Sequence, residues 1–422
     1  MKKAVLLILI CFHVFVKLSA QQIMSLPVVL DSIKSANPVL KMYDYEIRSM
    51  DEAAKGARSW MPLELGTGLW MTPYDVSRWK KMDDGMGGFE EGMGQYMLSA
   101  QQMFPNRRKQ DAEFKYMSAM SLVEKEKKNY SLNQLYAEAK KNYYDWVIIQ
   151  KKINVLNQNE KLLNFMIQSA EIRYKNGLEK INAYYKAKAA LANIEKMKIM
   201  LENEVLQKKI VLNTLLNRDK LADFSVDTIY YVKDYSDQLF DSTQLLTARS
   251  DLKAVNKEIQ LNWLKFDAEK AKQKPEFGIR YEHMFGFGGL PMQYSLMGMV
   301  KIPFTRGASR MYKANMESIK WKNESLQQEK QMILNETAGM AHGMRNEIIA
   351  KQKQIKLYEE KIIPALRNNY SFFQLAYEQN TEELFMLFDA WETLNMTQVE
   401  YLDQLSELLL MQVELERILE IK

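Results

Sequence analysis

The run Gln95-Tyr96-Met97-Leu98-Ser99-Ala100-Gln101-Gln102-Met103-Phe104-Pro105 has a counterpart in Gln293-Tyr294-Ser295-Leu296-Met297-Gly298-Met299-Val300-Lys301-Ile302-Pro303. Both begin Gln-Tyr, keep leucine in the same register and stop at a proline. In the second run Tyr294, Leu296, Val300 and Ile302 alternate with Ser295, Met297, Met299 and Lys301. Side chains of a strand point to opposite faces in turn, so this period of two reads as a strand with one apolar and one polar face. The stretch before it behaves likewise, with Phe277, Ile279, Tyr281 and Phe285 set against Glu276, Gly278, Arg280 and Glu282. Leu63 to Leu69 also alternates, leucine against glutamate and glycine. Strands of about ten residues, apolar on one side and polar or small on the other, are the pattern of a transmembrane β-barrel. Two amphipathic hairpins on a soluble core would show the same alternation. Four strands cannot close a membrane barrel, for which about eight is the lower limit. If these strands cross a membrane, several copies must share one barrel.

The match extends beyond the hairpins. Leu40 and Glu46-Ile47 correspond to Leu252 and Glu258-Ile259, and each of these segments runs on to a proline, Pro62 or Pro275. Tyr174-Lys175-Asn176-Gly177 corresponds to Tyr377-Glu378-Gln379-Asn380. Three matched pairs in one order indicate an internal duplication. The reading is a leader over 1–20, a first repeat over 21–240 and a second over 241–422. The first has a hairpin at about 62–105, a turn near 177 and a linker at about 218–245. The second has a hairpin at about 275–304 and a turn near 380. Between hairpins and turns the sequence is helical. Leu132, Leu135, Ala139, Trp146, Ile149, Ile153, Leu156 and Leu163 follow a heptad seam, as do Ala187, Leu191, Ile194, Leu201, Val205, Leu212 and Leu215. At about 1.5 Å per residue, a helix from about Asp111 to Tyr174 reaches about 95 Å, so it must pair side by side as a coiled coil. Asp223, Asp227, Asp234 and Asp237 interrupt the helical pattern with aromatics between them, as in a linker or small side domain.

Met1-Lys2-Lys3, the apolar run Ala4–Val16 and Leu18-Ser19-Ala20 predict a secretory signal cleaved after Ala20. Cys11, the one cysteine, lies inside it, so neither disulfide, thiol ligand nor acyl anchor is expected in the mature chain. The formal charge is +5, and the three leader lysines account for all but +2. Lysines alternate with glutamates along the helices, and no basic patch of the kind that binds nucleic acid is present. No later stretch is apolar for long enough to be a membrane helix.

These features together resemble the TolC family of outer-membrane efflux proteins. The likeness is carried by Val29-Leu30-Asp31-Ser32-Ile33 through Ala36-Asn37-Pro38-Val39-Leu40, Gln101-Gln102-Met103-Phe104-Pro105 and Arg173-Tyr174-Lys175-Asn176-Gly177. The resemblance implies a mainly α fold with a small β part. In such a trimeric duct each chain gives four strands to a shared transmembrane β-barrel, and a long coiled-coil α-barrel continues it through the periplasm. It implies as partners two further copies, a periplasmic adaptor, an energised inner-membrane pump and outer-membrane lipid, with no cofactor. It further implies that Arg173, Gly177, Leu178, Asn380 and Thr381 lie at the tip that meets the adaptor. Asn182, Ala183, Met386 and Asp389 would lie where the family narrows its tunnel. Ala183 and Met386 stand where aspartates are common, so one carboxylate per chain, Asp389, would remain. A secreted coiled-coil scaffold is the competing reading; it needs no lipid-facing stripe.

No nucleophile with a base, phosphate-cradling glycine loop or Cys/His cluster is visible, so a passive channel, not an enzyme, is expected. His283 belongs to the apolar strand face, and His342 stands between Met340 and Met344 on a helix, where the methionines share a face that the histidine does not. The chain has 28 methionines. Met103, Met297 and Met299, with Lys301, fall on the expected pore-lining strand face. Thioether sulfur is a soft ligand suited to monovalent copper or silver, as in the CusC-like heavy-metal branch. Methionine also serves as adaptable packing, and the residues alone leave both readings open.

Overall fold

The computed structural model describes residues 23–177, 180–236 and 242–421. The expected leader and Leu178 lie outside the described residues. The helices are α1 (Leu26–Ala36), α2 (Pro38–Lys55), α3 (Arg107–Lys175), α4 (Ile181–Leu215), α5 (Ser242–Ala248), α6 (Ser250–Ala271), α7 (Ser309–Leu357), α8 (Ile363–Glu378) and α9 (Leu384–Leu419). The strands are β1 (Ile23–Met24), β2 (Glu64–Trp70), β3 (Met82–Asp83), β4 (Phe89–Glu90), β5 (Gln95–Phe104), β6 (Ser225–Val226), β7 (Glu276–Gly286) and β8 (Gln293–Lys301). α3 runs for 69 residues and α9 for 36, neither containing glycine or proline. That lack of breakers is what permits such lengths. No described helix is long and apolar enough to cross a membrane.

The chain forms two compact units, one of residues 43–127 and 251–333, the other of the remaining segments. In the first, an antiparallel sheet has the order β2-β5-β7-β8. Its register sorts the side chains cleanly. Met103 and Met299 lie opposite Gly278, Met297 opposite Arg280 and Lys301 opposite Glu276. That face also carries Glu282 and Ser295, and Lys109 reaches the buried Glu276 carboxylate at 2.5 Å. The other face shows Leu65, Leu69, Leu98, Phe277, Ile279, Tyr281, Tyr294, Leu296 and Val300, all exposed. Residues 71–94 join β2 to β5 and contain the small β3–β4 pair. Trp79 in this loop stacks on Phe287 of the β7–β8 loop, ring centroids 5.1 Å apart.

In the second unit, the expected seam residues of α3 are inside. Leu132, Ala139, Trp146, Ile149, Ile153, Leu156 and Leu163 are buried, and Leu135 is partly so. Leu156, Leu163, Met166 and Ala170 pack with Ala187 and Ile194 of α4, Tyr370 and Tyr377 of α8, and Leu384, Leu387, Phe388 and Trp391 of α9. The Trp391 indole donates to Asn159 Oδ1 at 2.8 Å, so a buried polar residue of α3 is satisfied inside the core. A second cluster joins Val29 and Ile33 of α1 to Tyr143 and Trp146 of α3, Leu212 of α4 and Phe224. The segment 227–236 is held by its backbone. Gln352 and Gln412 donate to the Lys233 carbonyl at 2.9 and 3.0 Å, and Arg345 donates to that of Tyr235 at 2.9 Å.

Between α7 and α8 the helix widens to a π turn over Tyr358–Ile362. Pro364 follows, and its ring nitrogen cannot donate to the carbonyl four residues back. Two tyrosine–glutamate pairs bracket the turn: Tyr358 donates to Glu400 at 2.8 Å, and Tyr401 donates to Glu359 at 2.7 Å.

Candidate functional site: the paired turns and the start of α9

The duplicated Tyr-x-x-Gly and Tyr-x-x-Asn segments fold alike. The Gly177 amide donates to the Tyr174 carbonyl at 2.9 Å, and the Asn380 amide to that of Tyr377 at 3.1 Å. Both residues have left-handed backbones, φ +68° and +59°. Glycine adopts that region freely and asparagine is among the few others that tolerate it. Thr381 caps the second turn, its amide and hydroxyl each donating to the Ala376 carbonyl at 2.9 Å.

Arg173 ties the two turns together. Its guanidinium donates to Asn380 Oδ1 at 2.6 Å and to the Tyr377 carbonyl at 3.2 Å, and lies 4.5 Å from the Tyr377 ring centroid. Sequence reading assigned it to docking; within the chain it positions the second turn against the first.

Just beyond the turns, α4 and α9 carry the four residues expected at a narrowing. Asn182 is exposed on α4. Ala183 follows it on the same helix, its side chain outside what the structure describes. On α9, Leu384, Leu387, Phe388, Ala390 and Trp391 are buried, while Met386 is 39% exposed and Asp389 is exposed. Met386 therefore does not belong to the packed core of the chain. Met386, Asp389, Thr393, Met396, Glu400, Asp403 and Glu407 follow one another at spacings of three and four, which places them on one face of the helix. Along that face, acids are matched by neighbours. Glu400 accepts from Tyr358, Asp403 pairs with Lys152, and Glu407 pairs with Lys351 at 2.6 Å. Asp389 has no hydrogen-bond or ion-pair partner among the described residues. A carboxylate without a partner, on a stripe whose other acids are hydrogen-bonded or ion-paired, is a cation-attracting position.

Farther along α9, Glu416 is 7% exposed and accepts from Lys140 at 2.7 Å and from Lys233. Burial pushes its carboxyl up, but the hydrogen bonds and charges of the two lysines outweigh that and hold it below the ordinary value. Burial, with the Glu416 charge next in size, drives the nearby Tyr235 phenol far above its usual range. No sequence signal pointed to this cluster, whose members lie far apart along the chain.

The chain thus combines a strand hairpin pair that has one exposed apolar face with duplicated long helices that have matched turns. Residues 29–218 match the family described as outer membrane efflux protein, and the fold of the chain is TolC-like. The structure is similar to that of the outer-membrane channel OprN, with a TM-score of 0.71 and 14% identity, covering 93% of this chain and 89% of that one. CusC gives a TM-score of 0.72 and 13% identity, covering 93% and 91%. VceC from Vibrio cholerae gives 0.70 and 16%, covering 93% and 95%. No curated protein gives a significant sequence match.

Proposed function

We propose that the chain is the passive channel subunit of a tripartite efflux system, assembled as a trimer and engaged by a periplasmic adaptor and an inner-membrane pump. The observation that carries this reading is the four-stranded sheet with its exposed apolar face. Among the described residues β2 pairs only with β5, and β8 only with β7, so each outer strand presents unpaired amides and carbonyls. Such edges cannot face hydrocarbon, because no water is there to satisfy them. Three copies placed edge to edge pair every edge and give twelve strands, enough for an aqueous lumen. Met103, Met297, Met299 and Lys301 then line the inside, while Phe277, Tyr281 and Leu296 meet lipid. The matched turns with Arg173, Gly177, Asn380 and Thr381 form the adaptor-docking tip, together with Leu178. Asn182, Ala183, Met386 and Asp389 form the periplasmic gate. Detergent-extracted protein is expected to be trimeric and to sediment with outer membranes. A stable monomer without detergent would overturn the reading in favour of a soluble coiled-coil scaffold.

The exposure of Met386 and Met396, at 39% and 66%, favours copper or silver ions as cargo. These thioethers flank Asp389 along one face of α9 and offer soft, weak contacts that permit passage. Met386→Leu is expected to lower tolerance to graded copper and silver while tolerance to an unrelated drug and trimer yield stay at the parental level. Equal metal tolerance in variant and parent would remove the metal role from this position.

A further inference from the structure

Lys186 of α4 occupies an unusual place beside the Asp389 level. Its ammonium lies 4.6 Å from the Phe385 ring centroid, 4.4 Å from that of Phe388 and 3.9 Å from Glu392 Oε2. Phe385, Phe388 and Glu392 lie four residues before, one before and three after Asp389. Glu392 also precedes Met396 by four, so on a helix Glu392 neighbours both Asp389 and Met396. Two aromatic faces attract the ammonium by their quadrupoles and hold it over this stretch of α9.

The Lys186 and Glu392 side chains remain 40% and 47% exposed. An ion pair so well hydrated adds little to stability. It does change the charge at this level, because Glu392 would otherwise stand as a second free carboxylate within one turn of Asp389. In a narrow passage with low-dielectric walls, fixed charges of one sign concentrate counter-ions strongly.

We propose that Lys186 is a selectivity-determining residue: by neutralising Glu392, it limits the gate to one uncompensated carboxylate per chain. This rests on the reading of Asp389 as a gate residue facing the tunnel. In the assembled trimer, loss of the Lys186 charge frees three carboxylates beside the three of Asp389. The gate then favours cations more strongly and holds them longer.

The test is the potassium-to-chloride permeability ratio, from reversal potentials of the full-length protein in planar bilayers under a salt gradient. Lys186→Met keeps an apolar stem on the two rings and removes the charge; the ratio is expected to rise about twofold or more. Adding Glu392→Gln to that variant is expected to return the ratio to the parental value, and Lys186→Arg to keep it there. An unchanged ratio in Lys186→Met, in channels that insert as trimers, overturns the proposal. So does a rise in conductance without a change in ratio, which would make Lys186 a mechanical link between α4 and α9. Asp389→Ala separates this from the underlying reading. An unchanged ratio there, beside a raised one in Lys186→Met, would remove Asp389 from the gate and leave the Lys186–Glu392 assignment standing.

Discussion

Glu416→Ala is expected to cost about 3–5 kcal/mol of stability, the scale of breaking a buried ion pair from one side. The Lys140 side chain is only 9% exposed and makes its ion pair with Glu416. Without the carboxylate, Lys140 must stay charged in a poorly hydrated site or give up its proton, and both are expensive. Lys233, about half exposed, can turn to water, so the damage comes mainly through Lys140. The anchorage of segment 227–236 on α9 should loosen with it, although the Gln412 contact to the Lys233 carbonyl and the Tyr230–Tyr401 hydrogen bond remain. Thermal melting of the helical circular-dichroism signal in detergent checks this, and an unaltered midpoint in Glu416→Ala would refute it. The pH dependence has a definite sign. A carboxyl whose folded pKa is depressed contributes stability above its unfolded value, about 4.3, and loses it as pH falls through the folded value. The parent should therefore lose stability below about pH 4.3, and Glu416→Gln should lack that part of the loss.

Gly278→Val is expected to abolish the trimer, while Gly298→Val is tolerated. Gly278 sits in the middle of β7, between Met103 and Met299 on the polar face. A Cβ there would stand 2.4 Å from Met103 Sδ, 2.9 Å from the Gln102 carbonyl oxygen and 3.2 Å from Met299 Cε. The methionines can rotate away, but the carbonyl belongs to the strand paired with β7 and can move only by opening the ladder. Overpacking of this kind costs about 1–3 kcal/mol, and more when backbone must shift. Gly298 lies opposite Ile279 on the apolar face, and nothing stands within 4 Å of the Cβ it would gain. Trimer yield from outer membranes, read by unheated gel migration, compares the two. Equal yields would show that the sheet does not need the bare backbone at Gly278.

Much of the architecture was legible because the decisive signals are local and repeated. Alternation placed Met103, Met297, Met299 and Lys301 on one strand face without knowledge of pairing, since the side-chain period is two. The left-handed turns at Gly177 and Asn380 were legible because few residues tolerate that backbone. What sequence did not reveal depends on distant parts of the chain meeting. Arg173 reads as an exposed tip residue, and only the fold brings it to Asn380. Glu416 is one of many acids on α9; its burial between Lys140 and Lys233 follows from the path of segment 227–236, which read as a linker. Lys186 was hidden by its partners, because Phe388 reads as core and Glu392 as surface. The β3–β4 pair within residues 71–94 has strands of two residues each, too short for any period to show.

The π turn between α7 and α8 carries a consequence for the geometry of a long helix. An apolar stripe repeating every seven residues lags an undistorted α-helix by about 20° per heptad. Over the 49 residues of α7, that lag grows to about 140°. A turn that holds one residue more rotates each residue less, so a π turn takes up one extra residue and leaves the phase of the stripe nearly unchanged. The π turn thus absorbs the extra residue between Ile355 and Ile363, inward positions that stand eight apart, and Tyr370, Ala376 and Tyr377 continue on the inward face. The heptad lag itself is left to the winding of the helices about one another, and the π turn only keeps the seam continuous across the inserted residue.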